Sequence, residues 1–575
     1  MNTGTEKEVP PLTGRVQVLL PEILSQLRLS QFDKLNLIQV NSYFYNVFVP
    51  TLYDSITIDA KFSRLDPEFN TLDTTYIKTK SNLQSFFHTL YTDKDKHQNT
   101  DDGITKSDYK CLNLSNPIKL TLIRSLFCFD FPVEYIEFGK VFKDLLPYMT
   151  QLKTLQAESY PMGFNIVEIL KSNKLLNDLR LLFNVYDKSY LSNNFQKRTI
   201  LNSINSNKTQ DDLEFSNLET LSLNNFIDSV NLDTLLQNLL SHNFVLKNLK
   251  LVKLKKLIRL QDLINNDSDN YEFNTIEILF KQLVKNNLIN LNKLHLENIL
   301  IDNKTINYFK LLNFKNLNYL NLDNITEFQI NNISFLDNFN NLDNLKKLSL
   351  NIRSNNELSI LKFLENNIKD NSLTELSLNL RFNFLQQNIS FDKQIDDYIN
   401  FILRQKLSLV KLAFEIREEN YLSGLIDQLY SMNEDQFYKL IIKDSLDNDN
   451  VFPLLKSLKI NTNAHFFGKY RYKILMNNFK NLEYLWIFGL NSYEQHWGLG
   501  NVYPGIFDEW LRIMYIPEGI VSDISKTDIN YNKLKYIKIF KFIFEIKWCI
   551  DKSPQVNPRN LIDNWFDNKC NVNDI

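Results

Sequence analysis

LNKLHL at 291–296, LNYLNL at 317–322, LKKLSL at 345–350 and LTELSL at 373–378 are four copies of one pattern: leucine, two residues, leucine, one residue, leucine. They begin 26, 28 and 28 residues apart. A leucine, one residue and a leucine again is the two-residue period of a strand with one apolar face. A recurrence of about 20–29 residues leaves room for that strand and one return segment. Such a unit cannot bury its leucines alone, so neighbours must stack on it, and the chain is expected to form a solenoid of parallel strands.

The same pattern starts at Leu218 (LETLSL), Leu246 (LKNLKL), Leu409 (LVKLAF), Leu455 (LKSLKI) and Leu482 (LEYLWI), with weaker versions at Tyr109, Val133, Leu152, Leu176 and Phe273. The longer intervals before Leu291, Leu409 and Leu455 call for a degenerate repeat or a helical insert, such as residues 421–442 with Leu422, Leu425, Ile426, Leu429 and Leu440. The pattern resembles the leucine-rich repeat family. The resemblance implies an α/β solenoid with parallel strands on the concave face and helices on the convex face. The asparagine that the family places three residues after the third leucine is Phe226, Ile299, Ile325, Arg353 or Arg381 here, while Asn225, Asn298 and Asn324 sit one residue earlier. An irregular horseshoe is expected.

Upstream, residues 19–59 read LLPEILSQLRLSQFDKLNLIQVNSYFYNVFVPTLYDSITID. Pro21 in a first turn, Glu22 at the positive end of the dipole and Ile23, Leu24 and Leu27 on one stripe predict a helix ending near Arg28. Ser30 with Asp33 makes a capping-box pair for a second helix carrying Phe32, Leu35, Leu37 and Ile38. A third helix is expected over about 40–48, stopped by Pro50, and 52–58 alternate as a first strand. Three short helices bury little surface among themselves, which leaves an apolar face for a partner.

The set Leu20-Pro21, Glu22-Ile23, Leu27, Leu35, Val40-Asn41, Phe44-Tyr45, Pro50 and Leu52-Tyr53 resembles an F-box, over about 40 of 575 residues. An F-box before leucine-rich repeats is the domain order of fungal-type receptors of SCF (Skp–cullin–F-box) ubiquitin ligases. The resemblance implies that Leu20, Pro21, Ile23, Leu24, Leu27, Leu35, Ile38, Val40, Phe44 and Tyr45 meet a Skp-type adaptor, and through it a cullin ligase. The competing reading makes these helices the N-terminal cap of the solenoid. The expected organisation is a disordered arm over 1–15, the F-box-like head over 16–58, the solenoid with inserts over 59–548 and a tail over 549–575.

Strand alternation puts the leucines inside and the intervening residues on the open sheet face. In the central repeats these are Lys293, His295, Glu297, Tyr319, Asn321, Asp323, Lys347, Ser349, Asn351, Glu375, Ser377 and Asn379; later come Tyr484, Trp486, Phe488, Tyr536, Lys538 and Phe540. His295, Tyr319, Asn321, Tyr484, Trp486, Phe488 and Tyr536 are the candidate substrate-binding residues, since clustered Tyr and Trp make binding hot spots. The alternative is that a C-terminal cap or the 490–530 insert covers the aromatic ones. After Ile539 the apolar alternation changes phase, to Phe540, Phe542, Phe544, Ile546 and Trp548, which predicts a strand break where the solenoid closes.

Composition narrows the chemistry. Lys and Arg number 65 against 67 Asp and Glu, so no global basic field draws the chain to nucleic acid or anionic membrane. Cys111, Cys128, Cys549 and Cys570 form no CxxC pair, which fits a reducing cytoplasm or nucleus. The first 18 residues lack a signal-peptide stretch and no apolar run reaches 18 residues, so no membrane insertion is expected. Six scattered histidines and the lack of HExxH, GxSxG or a Walker-type loop argue against catalysis, metal or cofactor within the chain. Polar stretches at 92–108, 202–212 and 264–272 read as surface loops, and the abundant asparagine as a mark of an AT-rich genome.

The preferred expectation is therefore a non-catalytic substrate-recognition subunit of an SCF-type ubiquitin ligase. An F-box scaffold in a kinetochore or trafficking assembly is the second, and a GTPase-activating solenoid, which would present a rim arginine, the third.

Overall fold

The computed structural model describes residues within 29–59, 74–92, 113–129, 145–158, 173–182, 218–226, 250–256, 280, 291–327, 334–353, 357–382, 391–418, 428–430, 451–461, 479–488, 533–548, 554–559, 566, 569 and 570. The chain divides into two compact units, Met1–Ser192 and Asn193–Ile575. Leu20, Pro21, Ile23, Leu24 and Leu27, the repeats expected at Val133 and Phe273, Phe540, the insert at 490–530 and the polar loops at 202–212 and 264–272 lie outside the described residues, as does nearly all of 92–108.

In the first unit, helix Gln31–Leu37 starts as the residues dictate. Ser30 accepts from the Asp33 backbone amide at 3.2 Å while the Asp33 carboxylate accepts from the Ser30 amide at 3.0 Å, closing both ends of a capping box. The next helix, Ser42–Asp54, is capped by Asn41, whose side chain accepts from Phe44 N. It runs past Pro50, which was expected to stop it. A mid-helix proline costs about 3 kcal/mol; burial of Phe48, Val49 and Leu52, at roughly 1.5–3 kcal/mol each, outweighs that and holds the last turn. Residues 52–54 are consequently helix, and strand β1 is Ser55–Asp59.

β2 (Thr75–Ile77) lies parallel to one side of β1. The short strands β3 (Tyr91–Thr92) and β4 (Asn113–Leu114) pair antiparallel, so the weak repeat at Tyr109 supplies a rung of that ribbon instead of a solenoid strand. On the other side of β1 come β5 (Ser125–Phe129), β6 (Thr154–Glu158) and β7 (Asp178–Leu182), all parallel. β5 is a repeat that the leucine pattern missed, because its buried positions are Ile123, Leu126 and Cys128.

The second unit stacks β8 (Thr220–Phe226), β9 (Leu251–Lys256), β10 (Lys293–Glu297), β11 (Leu300–Ile301), β12 (Tyr319–Glu327), β13 (Lys347–Arg353), β14 (Glu375–Phe382) and β15 (Lys411–Glu418). β16 (Gln428–Tyr430) follows, then β17 (Ser457–Asn461), β18 (Tyr484–Phe488), β19 (Tyr536–Ile539), β20 (Phe542–Trp548) and β21 (Pro554–Arg559). The order β8-β9-β10-β12-β13-β14-β15-β17-β18-β19 is parallel throughout, with β11 parallel beside β12. β16 pairs antiparallel with β15, so part of the expected helical insert at 421–442 is strand.

One repeat sits three residues later than its leucines suggested. Leu294 and Leu296 face Val252 and Leu254, so the unit starts at Leu249 and not at Leu246. The chain there reads LKNLKLVKL, which fits two frames, and pairing with both neighbours selects one.

A hydrogen-bond signature marks most steps. The residue before a strand offers its carbonyl to two successive amides of the next repeat: Asn292 O accepts from Asn318 N and Tyr319 N, Asn318 O from Lys346 N and Lys347 N, Lys346 O from Thr374 N and Glu375 N. The same fork recurs through Thr374, Val410, Lys456 and Glu483, and at Arg124 and Lys153 in the first unit. Behind the central strands the return segments pack a phenylalanine column, with ring centroids 4.2 Å apart for Phe280–Phe309, 4.7 Å for Phe309–Phe335 and 4.6 Å for Phe314–Phe339.

The phase change near residue 540 is a reversal: β20 runs antiparallel to β19, and β21 antiparallel to β20. β21 carries Pro554 and Pro558, residues suited to an edge strand. Of residues 549–575, read as a tail, Pro554–Arg559 form a strand of the sheet and Phe566 and Cys570 are fully buried.

Candidate functional site

Strand register aligns the non-leucine positions into rows across the second unit. One row runs Lys293, Tyr319, Lys347, Glu375, Lys411, Ser457, Tyr484, Tyr536. The next runs Ser222, Lys253, His295, Asn321, Ser349, Ser377, Ala413, Lys459, Trp486, Lys538. A third contains Asn224, Lys255, Glu297, Asp323 and Asn351. Six of the candidate substrate-binding residues, His295, Tyr319, Asn321, Tyr484, Trp486 and Tyr536, therefore stand in two adjacent rows of one sheet.

That face is largely closed upon itself. His295, Tyr319 and Asn321 are buried; Asn321 donates to the Tyr319 hydroxyl at 3.2 Å, and that hydroxyl lies 3.4 Å from His295 Nδ1. Burial, helped by the charges of Lys253 and Lys255, lowers the His295 pKa to about 4 although Glu297 pulls the other way, so the imidazole is neutral at physiological pH. Burial would raise Glu297, but hydrogen bonds with His295 and Lys255 and the Lys255 ammonium, 2.5 Å away, hold its carboxyl well below the usual range. Glu375 pairs with Lys347 at 3.0 Å and Lys411 at 3.5 Å, and Glu415 with Lys459.

The aromatic end is covered. Tyr484 and Tyr536 stack at 5.9 Å and are 6% and 8% exposed. Phe566 meets Tyr484 edge-on at 6.2 Å and Trp486 edge-on at 6.2 Å. The Trp486 ring lies between two ammonium groups from the adjacent strands, Lys459 at 4.0 Å and Lys538 at 4.1 Å. The C-terminal segment, not an open groove, occupies this patch, which removes Tyr484, Trp486 and Tyr536 from a free surface. Phe488 shares the strand with Trp486 and pairs with Asn461.

The asparagines absent from the family position work from neighbouring ones. Asn298 and Asn324 adopt left-handed backbone, φ 59° and 52°, which asparagine tolerates better than most residues. Asn324 donates to Asn298 Oδ1 at 2.7 Å, Asn351 to Asp323 at 2.6 Å, and Arg381 to Asn351 Oδ1 at 2.7 Å. A polar ladder therefore crosses four repeats and ends on Arg381. The residues that leucine spacing could not single out, Lys253, Arg381, Glu415, Lys459 and Phe566, are partners of those it did.

In the first unit, the helical head shows an open apolar face. Phe32 is 71%, Val40 64%, Tyr45 42% and Leu35 39% exposed, while Ile38 and Phe44 are half-buried. Gln31 ties the head to β2 through both directions of a backbone bond pair with Tyr76, at 2.9 and 3.3 Å. Among the described residues no helix is long and apolar enough to cross a membrane. No protein-family model matches the chain, and no curated protein matches its sequence.

Proposed function

We propose that this protein is a substrate-recognition subunit of an SCF-type ubiquitin ligase, with the helical head docking a Skp-type adaptor and the repeat sheet holding a protein substrate. The observation that carries the reading is the exposure of Phe32 and Leu35 on one capped helix, Val40 on the turn after it and Tyr45 on a second capped helix that leads straight into a strand of the sheet. Large side chains exposed together on well-formed helices cost solubility unless a partner covers them. The cap reading is disfavoured by the same fact, because a terminal cap presents a polar outer face. The chain would act by holding the substrate near a ligase that performs the chemistry elsewhere, which is catalysis by positioning.

The test is capture of a purified Skp-type adaptor by the full chain. Wild type should bind it, and Phe32→Ser with Val40→Ser should lose capture by about tenfold or more with unchanged thermal unfolding. A wild-type chain that does not bind, or a double variant that binds as wild type, would overturn the assignment.

A further inference from the structure

The chain is close to electroneutral as a whole, yet among the described residues one edge of the second unit carries an excess of cations. The described turns leading into the parallel strands carry four carboxylates, Glu219, Asp343, Asp370 and Glu483, and these pair with Lys250, Lys369, Arg404, Lys456 and Lys535. On the same turns Lys310, Lys315 and Lys480 have no acidic partner among the described residues, Lys346 reaches only the Ser372 carbonyl, and Lys533 only the Asn481 amide oxygen. Lys310 follows a helix C-terminus, where the dipole favours a cation. That cause does not extend to Lys346, one residue ahead of its strand.

Leucine is the second component of this edge. Leu311, Leu407 and Leu454 are 65%, 55% and 49% exposed, and each lies within two residues of a lysine: Lys310, Lys406 and Lys456, the last paired with Glu483. They precede β12, β15 and β17, which are three strand steps and then one step apart at about 4.8 Å per step. Three separated leucines do not make the contiguous apolar patch of a protein hot spot. Nucleic acid would use the lysines and leave the leucines idle. Shallow seating at the level of lipid headgroups uses both, with leucines dipping below the phosphates and lysine stems reaching back to them.

We propose that this edge of the second unit is a docking surface for an anionic lipid membrane, held by the five lysines without an acidic partner among the described residues and seated by Leu311, Leu407 and Leu454. Lysines near such a surface attract it through screened electrostatics, so five give a reversible, salt-sensitive attachment without any spanning segment.

The test is co-sedimentation of the full chain with vesicles of phosphatidylcholine alone or with about 30% phosphatidylserine. Binding should require the anionic lipid and fall about tenfold or more when salt is raised past the screening range. Lys310→Glu, Lys315→Glu and Lys346→Glu together should abolish it. Leu311→Ser, Leu407→Ser and Leu454→Ser together should weaken it about fivefold or more with unchanged circular dichroism, all three being surface positions. No binding to anionic vesicles would sink the proposal. So would a leucine triple variant that sediments as wild type, or a chain that binds single-stranded RNA and ignores the vesicles.

Discussion

Asn461 grips Ile416 from the next strand at both backbone atoms, accepting from its amide at 3.0 Å and donating to its carbonyl at 2.8 Å, with no surface of its own exposed. The side chain acts here as one more rung of the sheet, placed where the ladder between β15 and β17 has ended at Phe414 and Ile460. Asn461→Ala leaves a buried N–H and C=O without partners, and each orphaned group costs about 1–3 kcal/mol. A loss of about 2–5 kcal/mol by chemical denaturation is expected. A variant within 0.5 kcal/mol of wild type, the range of about ±0.5 kcal/mol for ordinary surface changes, would mean the grip contributes nothing.

His295 makes stability depend on acid. Its folded pKa is about 4 against about 6.5 unfolded, so between these values the unfolded chain binds a proton that the folded chain does not. Stability from this group is full above pH ~6.5 and is lost as pH falls toward ~4, by roughly 3 kcal/mol in all. Unfolding curves of wild type and His295→Gln should therefore converge as the pH drops through that window. A constant difference between them would show that the imidazole is not held neutral.

Phe566 is buried against Tyr484 and Trp486. Phe566→Ala should cost about 3–5 kcal/mol, the scale of a core aromatic deletion, and shift the Trp486 fluorescence to the red as water reaches the indole. Trp486→Ala should destabilise as well, since its ring fills the space between Lys459, Lys538 and Phe566. Normal melting temperatures for both variants would restore the aromatic cluster to the free surface.

Asn324 separates backbone demand from side-chain bonding. Its φ of 52° suits glycine and asparagine and penalises a β-branched residue. Asn324→Gly should cost only the side-chain bonds to Asn298 and Arg381, about 1–2 kcal/mol. Asn324→Val should lose both bonds and add strain of about 1–3 kcal/mol. Equal stabilities for the two variants would contradict the left-handed assignment.

Most strands were legible because their leucines alternate without ambiguity: the repeats at Leu218, Leu291, Leu317, Leu345, Leu373, Leu409, Leu455 and Leu482 all hold a strand beginning two residues on. β5 escaped because Cys128 fills a leucine position, and β9 was framed three residues early because LKNLKLVKL alternates in two registers. Only pairing with a neighbour breaks that tie. The rows of the polar face were legible too, since side chains alternate strictly along a strand. Their closure was not: Phe566 comes from far along the chain, and no local period announces a long-range cover. Pro50 misled for a related reason, the local penalty being outweighed by burial of Phe48, Val49 and Leu52.

The forked carbonyls at the foot of each strand work as a ruler. Because each repeat is clamped to the last by two amides at its first residues, the pitch of the stack is set before the rest of the repeat is laid down. The segment that follows a strand can then vary in length without disturbing its neighbours, as the uneven intervals between Leu373, Leu409, Leu455 and Leu482 require. Such a scaffold can accept grafted sequence at one end of a repeat while the spacing at the other end stays constant, so the return segments can be rewritten with little penalty to the fold.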